Sequence, residues 1–154
     1  MGQNRHGHQN CRNKMKRISF AFLLIGLHLN GFAVPATVTR IIDGDTFVAR
    51  VALSKNINVS TINVRIRNVD TPEIHGECDE EIEKALLAKQ RLAELIPVGQ
   101  TVEIKNITND KYEGRIDANV YDKNNQDVGR ILIKEKLGRS YSGGKRQPWC
   151  KKSH

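Results

Sequence analysis

Apolar and polar positions alternate over several short stretches of this chain. Thr37 to Asp43 and Thr46 to Leu53 are rich in β-branched and apolar residues, with Asp43-Gly44-Asp45 between them. An Asp-Gly pair flanked by such runs predicts a β-hairpin. Asn56 to Ser60 is polar and reads as the next turn. In Thr61 to Val69, Ile62, Val64 and Ile66 alternate with Asn63, Arg65 and Arg67, which predicts a third strand. Thr71-Pro72 stops it, because proline cannot donate to a ladder. The period then changes. Asp79 to Ile96 places Ile82, Ala85, Leu86, Leu92, Ala93 and Ile96 on one helical stripe, with Asp79, Glu80 and Glu81 at the end where the helix dipole favours negative charge. Pro97-Val98-Gly99 ends the helix. Thr101 to Ile107 and Arg115 to Tyr121 predict two further strands, Asp127 to Lys136 a short helix closed by Gly138, and Arg139 to Tyr141 a last short strand. Five strands with a helix after the third predict an α+β fold: a five-stranded OB-fold-like β-barrel with about two helices.

The beginning of the sequence has another character. Lys14, Lys16 and Arg17 precede an apolar run from Ile18 to Leu29, and Gly31-Phe32-Ala33 follows. This is the pattern of a secretory signal peptide. The run falls short of the ~20 residues of a membrane span. Residues 1–33 are therefore expected to be a leader, cut after Ala33 or Ala36, with Met15 as an alternative start. The working domain is expected over 34–141, with a basic, flexible tail over 142–154. A periplasmic or secreted monomer without stable membrane association is expected.

Charge changes the picture less than it first suggests. The 154 residues carry 25 Lys and Arg against 17 Asp and Glu, a formal net charge of +8. Five of those basic residues and none of the acidic ones lie in 1–33, so the rest of the chain is only mildly basic, with 20 against 17. Removing the leader also removes Cys11 and leaves Cys78 and Cys150. An even count in an exported protein favours a Cys78–Cys150 disulfide over a metal site with His75 and His154, whose spacing matches no standard zinc pattern.

The candidate chemistry lies in three stretches: Asp43-Gly44-Asp45-Thr46, Asp70-Thr71-Pro72-Glu73 with Arg65 upstream, and Asp110-Lys111-Tyr112-Glu113-Gly114-Arg115. Alone, each has a plainer reading as a turn, a strand end or a surface loop. Together and in this order they hold the parts of a phosphodiester-cleaving site. Asp45, Asp70 and the Thr71 carbonyl offer hard oxygen ligands suited to Ca²⁺ or Mg²⁺. Glu73 could hold a water and take its proton. Arg65 and Arg115 could fork onto a phosphate, where guanidinium geometry matches two oxygens at once.

This combination resembles the staphylococcal nuclease (thermonuclease) family over about residues 36–141. The motifs that carry it are Ile42-Asp43-Gly44-Asp45-Thr46, Arg65, Val69-Asp70-Thr71-Pro72-Glu73, Asp110-Lys111-Tyr112 and Gly114-Arg115. The resemblance implies one Ca²⁺ ion held by Asp45, Asp70 and Thr71, a water handled by Glu73, and phosphate bound by Arg65 and Arg115. It implies DNA and RNA as substrates, cleaved with little sequence specificity to 3′-phosphate ends. Lys111, Tyr112 and Tyr141 are candidate substrate contacts. The ending Tyr141-Ser142-Gly143-Gly144 to Trp149-Cys150 is similar to that of Gram-negative exported members. Glu113 stands as an extra residue between Tyr112 and Gly114, and the loop Ile74 to Cys78 is shorter than in the best-known member. The rival reading is a non-catalytic OB-type module that binds nucleic acid. Such a module would want stacking aromatics and a strongly basic face, and aromatics make up only 5% of this sequence.

Overall fold

The computed structural model describes residues 32–52 and 59–151. The expected leader over 1–33 lies almost wholly outside the described residues, as do Cys11, His154 and most of the expected turn at 56–60. The described chain begins with β1 (Val34–Ile41), β2 (Thr46–Ala52), β3 (Val59–Ile66) and a two-residue β4 (Val69–Asp70). Helix α1 (Asp79–Leu95), β5 (Thr101–Asn109), β6 (Arg115–Tyr121), α2 (Val128–Lys134) and β7 (Arg139–Ser140) follow.

Five strands close into a barrel in the order β1-β2-β3-β6-β5. All pairings are antiparallel except β3 with β6, which run parallel, so the barrel is mixed. Its interior follows the predicted alternation. Val38, Phe47, Ala49, Val51, Val64, Ile66, Val102, Ile104, Ala118 and Val120 are buried; on β3 and β6 their neighbours in sequence are more exposed, whereas on β2 the neighbours Thr46 and Val48 are covered as well. Leu92 and Ile96 of the α1 segment and Val128 and Leu132 of α2 cover one side of this core.

Two expectations are corrected. The third strand does not run to Val69. Asn68 takes the left-handed conformation (φ 64°), which an asparagine tolerates and which breaks the ladder. The chain then restarts as β4, pairing antiparallel with β7 through Val69–Ser140 and Asp70–Arg139. The stripe of α1 is also rotated. Leu86 is 53% exposed, and the buried positions are Glu81, Ala85, Ala88 and Leu92. Ala88 faces the β1–β2 turn, where only a small side chain fits: a Cβ on Gly44 would lie 2.7 Å from the Ala88 Cβ.

The tail departs from the flexible extension that its composition suggests. Cys150 is bonded to Cys78 at the N-terminal end of α1, across a sequence separation of 72 residues. Closing a loop of that length stabilises a fold by roughly 4 kcal/mol in the chain-entropy picture. Arg139 of β7 stacks on Trp149 with its guanidinium carbon 3.4 Å from the ring centre. It also donates to the carbonyls of Gln147 and Pro148, each at 3.3 Å. No helix among the described residues is long and apolar enough to cross a membrane.

Candidate active site

The β1–β2 turn sets Asp45. The Asp43 carboxylate accepts from the Asp45 N–H at 3.0 Å, a local bond that Asp favours in turns. The Asp45 carbonyl accepts from the Ile66 N–H at 2.8 Å, which pins the turn to the end of β3. Gly44 allows the turn to sit against α1 and Thr71, whose Oγ1 would be 2.8 Å from an added Cβ. The Asp45 side chain is thus 2% exposed. Its Oδ1 accepts from Thr46 Oγ1 at 2.9 Å and from Arg65 Nη1 at 3.1 Å, and its Oδ2 from the Thr71 N–H at 3.2 Å. Burial pushes this carboxyl up to about 6 despite Arg65, with the nearby Asp43 charge adding to the rise.

Asp70 and Thr71 leave β4 equally buried, at 3% and 2% exposure. Glu73 lies beyond Pro72 on an exposed loop that a second carboxylate organises from below. Glu81, on the first turn of α1, is 7% exposed and accepts from the N–H groups of Glu73 at 3.3 Å and Glu77 at 3.1 Å. Gly76 makes room for it, since a Cβ there would lie 2.5 Å from the Glu81 Cγ. Glu81 therefore holds the Glu73 loop against the helix. Its sequence position suggested only a favourable charge at a helix start.

The third stretch is the β5–β6 turn. Tyr112 N–H donates to Asp110 Oδ1 at 3.0 Å and Arg115 Nε to Asp110 Oδ2 at 2.8 Å. The Arg115 guanidinium also lies over the Tyr112 ring, 4.6 Å from its centre. Glu113 is exposed at the tip, and Gly114 has φ 75°, so the extra residue is taken up by the turn while Arg115 still returns at the start of β6. Burial alone would raise the Asp110 carboxyl, but the bonds from Arg115 and the Tyr112 N–H outweigh it and hold it below the usual value. Asp117, on the same side of β6, moves the other way. Burial and the Asp110 charge raise it.

These pieces meet at one open cleft of about 650 Å³. Arg65, Glu73, Lys111, Tyr112, Arg115 and Tyr141 line it, together with Asp110, Asp117 and Arg146. Asp45, Asp70 and Thr71 lie behind Arg65 and Arg146. Arg65 bridges the two parts, since its Nη1 is on Asp45 and its Nη2 donates to the Val69 carbonyl at 3.3 Å. Lys111 sits over the Tyr112 ring, 4.9 Å from its centre. The Tyr141 hydroxyl donates to the Gly144 carbonyl at 2.7 Å. Cys78 and Cys150 form their bond beside Glu81. The three lie close enough to hold an ion, but both sulfurs are spent on each other, so no thiolate is available for one.

Arg146 joins the site although none of the three sequence stretches contains it. Its guanidinium pairs with Asp70 and Glu73 and lies 4.0 Å from Asp45 Oδ2. A signal existed in the sequence: Arg146 stands four residues before Cys150, and Cys78 five after Glu73. A Cys78–Cys150 bond tethers that arginine to the Glu73 loop through nine residues and one disulfide. The site as a whole fits a hard cation. Two buried carboxylates from separate segments converge with a third exposed one, burial raises one of them, and a guanidinium already sits among them.

The sequence model described as staphylococcal nuclease homologue matches residues 63–153, more than half of the chain. The chain belongs to this family. No curated protein matches it. A domain of the family is a nuclease-type or nucleic-acid-binding module, which implies a nucleic-acid substrate or ligand. The matched segment contains Arg65, Asp70, Thr71, Glu73, Lys111, Tyr112, Arg115 and Tyr141, whereas Asp45 precedes it. Asp45 joins the site through its contacts with Arg65 and Thr71.

Proposed function

We propose that this protein is an exported, calcium-dependent nuclease that hydrolyses phosphodiester bonds of DNA and RNA with little sequence specificity and leaves 3′-phosphate ends. One observation carries the reading: a single cleft presents Glu73, Arg65 and Arg115 beside the buried Asp45–Asp70 pair. Asp45, Asp70 and Thr71 would hold the Ca²⁺ ion, which when bound offsets negative charge on the phosphoryl group and acidifies water. Glu73, exposed and tethered through its backbone to Glu81, would orient the attacking water and accept its proton. Arg115, oriented by Asp110 and Tyr112, and the free edge of Arg65 would hold the phosphate and stabilise the charge that grows on it. Tyr112, Lys111 and Tyr141 would line the path of the flanking nucleotide. Lack of base specificity follows from a cleft furnished for phosphate more than for base edges. The division into a leader over 1–33, a nuclease domain over 34–141 and a tail from 142 belongs to the same reading, as does a monomer outside the cytoplasm.

The test is cleavage of single- and double-stranded DNA and of RNA with calcium, with a chelator, and with Glu73→Gln. Calcium-dependent cleavage that drops ~10²–10⁴-fold in Glu73→Gln is expected. Retarded nucleic acid without any cleavage in calcium would replace the enzyme by a binding module. Cleavage undiminished by Glu73→Gln would remove the base role from that residue.

A further inference from the structure

Arg146 lies where the reading above needs a cation. Its guanidinium reaches three carboxylates that come from two segments distant in sequence: Asp45 in the β1–β2 turn, and Asp70 at the end of β4 with Glu73 in the loop just beyond. Without a counter-charge these groups would repel one another, two of them in a buried setting where such repulsion is screened little. One guanidinium supplies a single positive charge in a planar fork and presents a different nitrogen to each carboxylate.

The segment that carries Arg146 is built to hold it there. Gly143 and Gly144, at φ 98° and 91°, turn the chain back after β7 in a conformation that side chains rarely adopt. The Tyr141 hydroxyl closes that turn on the Gly144 carbonyl. On the far side, Trp149 is stacked on Arg139, the carbonyls of Gln147 and Pro148 accept from the same arginine, and Cys150 is bonded to Cys78. Residues 142–150 thus form a strap anchored at both ends, with Arg146 at its centre. Anchoring keeps the guanidinium at high effective concentration over the carboxylates.

We propose that Arg146 is a cation gate: in the metal-free protein its guanidinium substitutes for the divalent ion among Asp45, Asp70 and Glu73, and ion binding displaces it. This rests on Asp45 and Asp70 being the ion's ligands, but not on the protein cleaving anything. The gate has two consequences. Calcium affinity is set by a competition within the chain, and it is weaker than the carboxylates alone would give. The metal-free protein in turn keeps its acidic cluster neutralised in part, and so remains folded before calcium is met. Once displaced, the arginine stays tethered at the rim of the cleft.

The test uses the full, oxidised chain and needs no nuclease assay. Calcium alone is titrated calorimetrically into the native protein and into Arg146→Gln, and both are melted in chelator, with and without Asp70→Asn. The gate predicts that Arg146→Gln binds calcium about tenfold more tightly. It also predicts that the variant melts several degrees lower in chelator, and that this loss shrinks when Asp70→Asn has already removed a partner. Equal or weaker calcium binding by Arg146→Gln would overturn the proposal, as would a melting loss of the same size in both backgrounds. No calcium binding by either protein would overturn it too. Calcium binding that follows the prediction without any cleavage of nucleic acid would sink the nuclease reading and leave the gate standing.

Discussion

The acidic and the basic halves of the cleft are built in opposite ways. Asp45, Asp70 and Thr71 are almost fully buried, and their positions are fixed by backbone: the β1–β2 turn bonded to the end of β3, the β4–β7 pairing, and Gly44 wedged against Ala88 and Thr71. Arg115 opens β6 just after an exposed hairpin turn, and its guanidinium is held by side chains of that turn, Asp110 on one edge and Tyr112 on the face. The two carboxyls at the heart of each half shift in opposite directions. Burial raises Asp45, whereas hydrogen bonds lower Asp110 against the effect of its burial. A cation site that must gather like charges benefits from rigid backbone, since each ligand would otherwise move apart. A phosphate clamp on a long polymer needs access, and an exposed turn gives it. The acidic half should therefore couple function to folding, and the basic half should not.

Arg115→Ala tests the separation most sharply. It should lower kcat on DNA by ~10²–10³-fold, the usual cost of removing one donor aimed at a developing oxyanion. The stability loss, read by urea unfolding, should be no more than about 1 kcal/mol. A large loss of stability would show that the hairpin is part of the scaffold, and the contrast would fail. Gly44→Ala is the opposite case. The added methyl must push against Ala88 and Thr71, both fixed, so unfolding should lose ~1–3 kcal/mol. Calcium affinity should fall with it, because Thr71 donates to Asp45. An unchanged melting temperature would mean that the turn is free to shift and that its rigidity is not what gathers the carboxylates.

The same contrast governs what could be read from the sequence. The barrel is legible because the alternation of Ile62, Val64 and Ile66 on β3 survives into the structure, β6 alternates likewise, and Asp43-Gly44 marks a turn by local chemistry. The three site stretches were legible for a related reason: each is short, local and placed at a turn or strand end. The Cys78–Cys150 pairing followed from counting. What failed was long-range. Asn68 breaks β3, although the apolar pattern continues to Val69, because the pattern carries no sign of a left-handed residue. The apolar stripe includes Leu86, yet Leu86 is exposed and Ala88 is buried, because the close approach of Gly44 leaves room only for a small side chain. Glu81 looked like a helix-start charge and is a buried acceptor for the Glu73 loop. The Gly-rich tail read as flexible, because composition shows the two glycines but not the stack of Arg139 on Trp149 or the carboxylates that receive Arg146.

The smallest effect is expected at Asp110, and its pH dependence carries the information. The folded-state carboxyl lies below its ordinary value, so ionised Asp110 stabilises the fold. That contribution is fully present above the unfolded value of about 3.9 and is lost as pH falls through the lower folded value. Asp110→Asn should thus cost about 1 kcal/mol or less near pH 7, where the pair with Arg115 is partly solvated, and the two proteins should converge in stability only once pH has fallen below the lowered folded value. Cleavage should respond more than stability, falling about tenfold near pH 7, because an Arg115 held only by the Tyr112 face spends more time away from the phosphate. If Asp110→Asn instead costs several kcal/mol at pH 7, the hairpin turn is held as firmly as the buried half, and the basic side of the cleft is also built from the core.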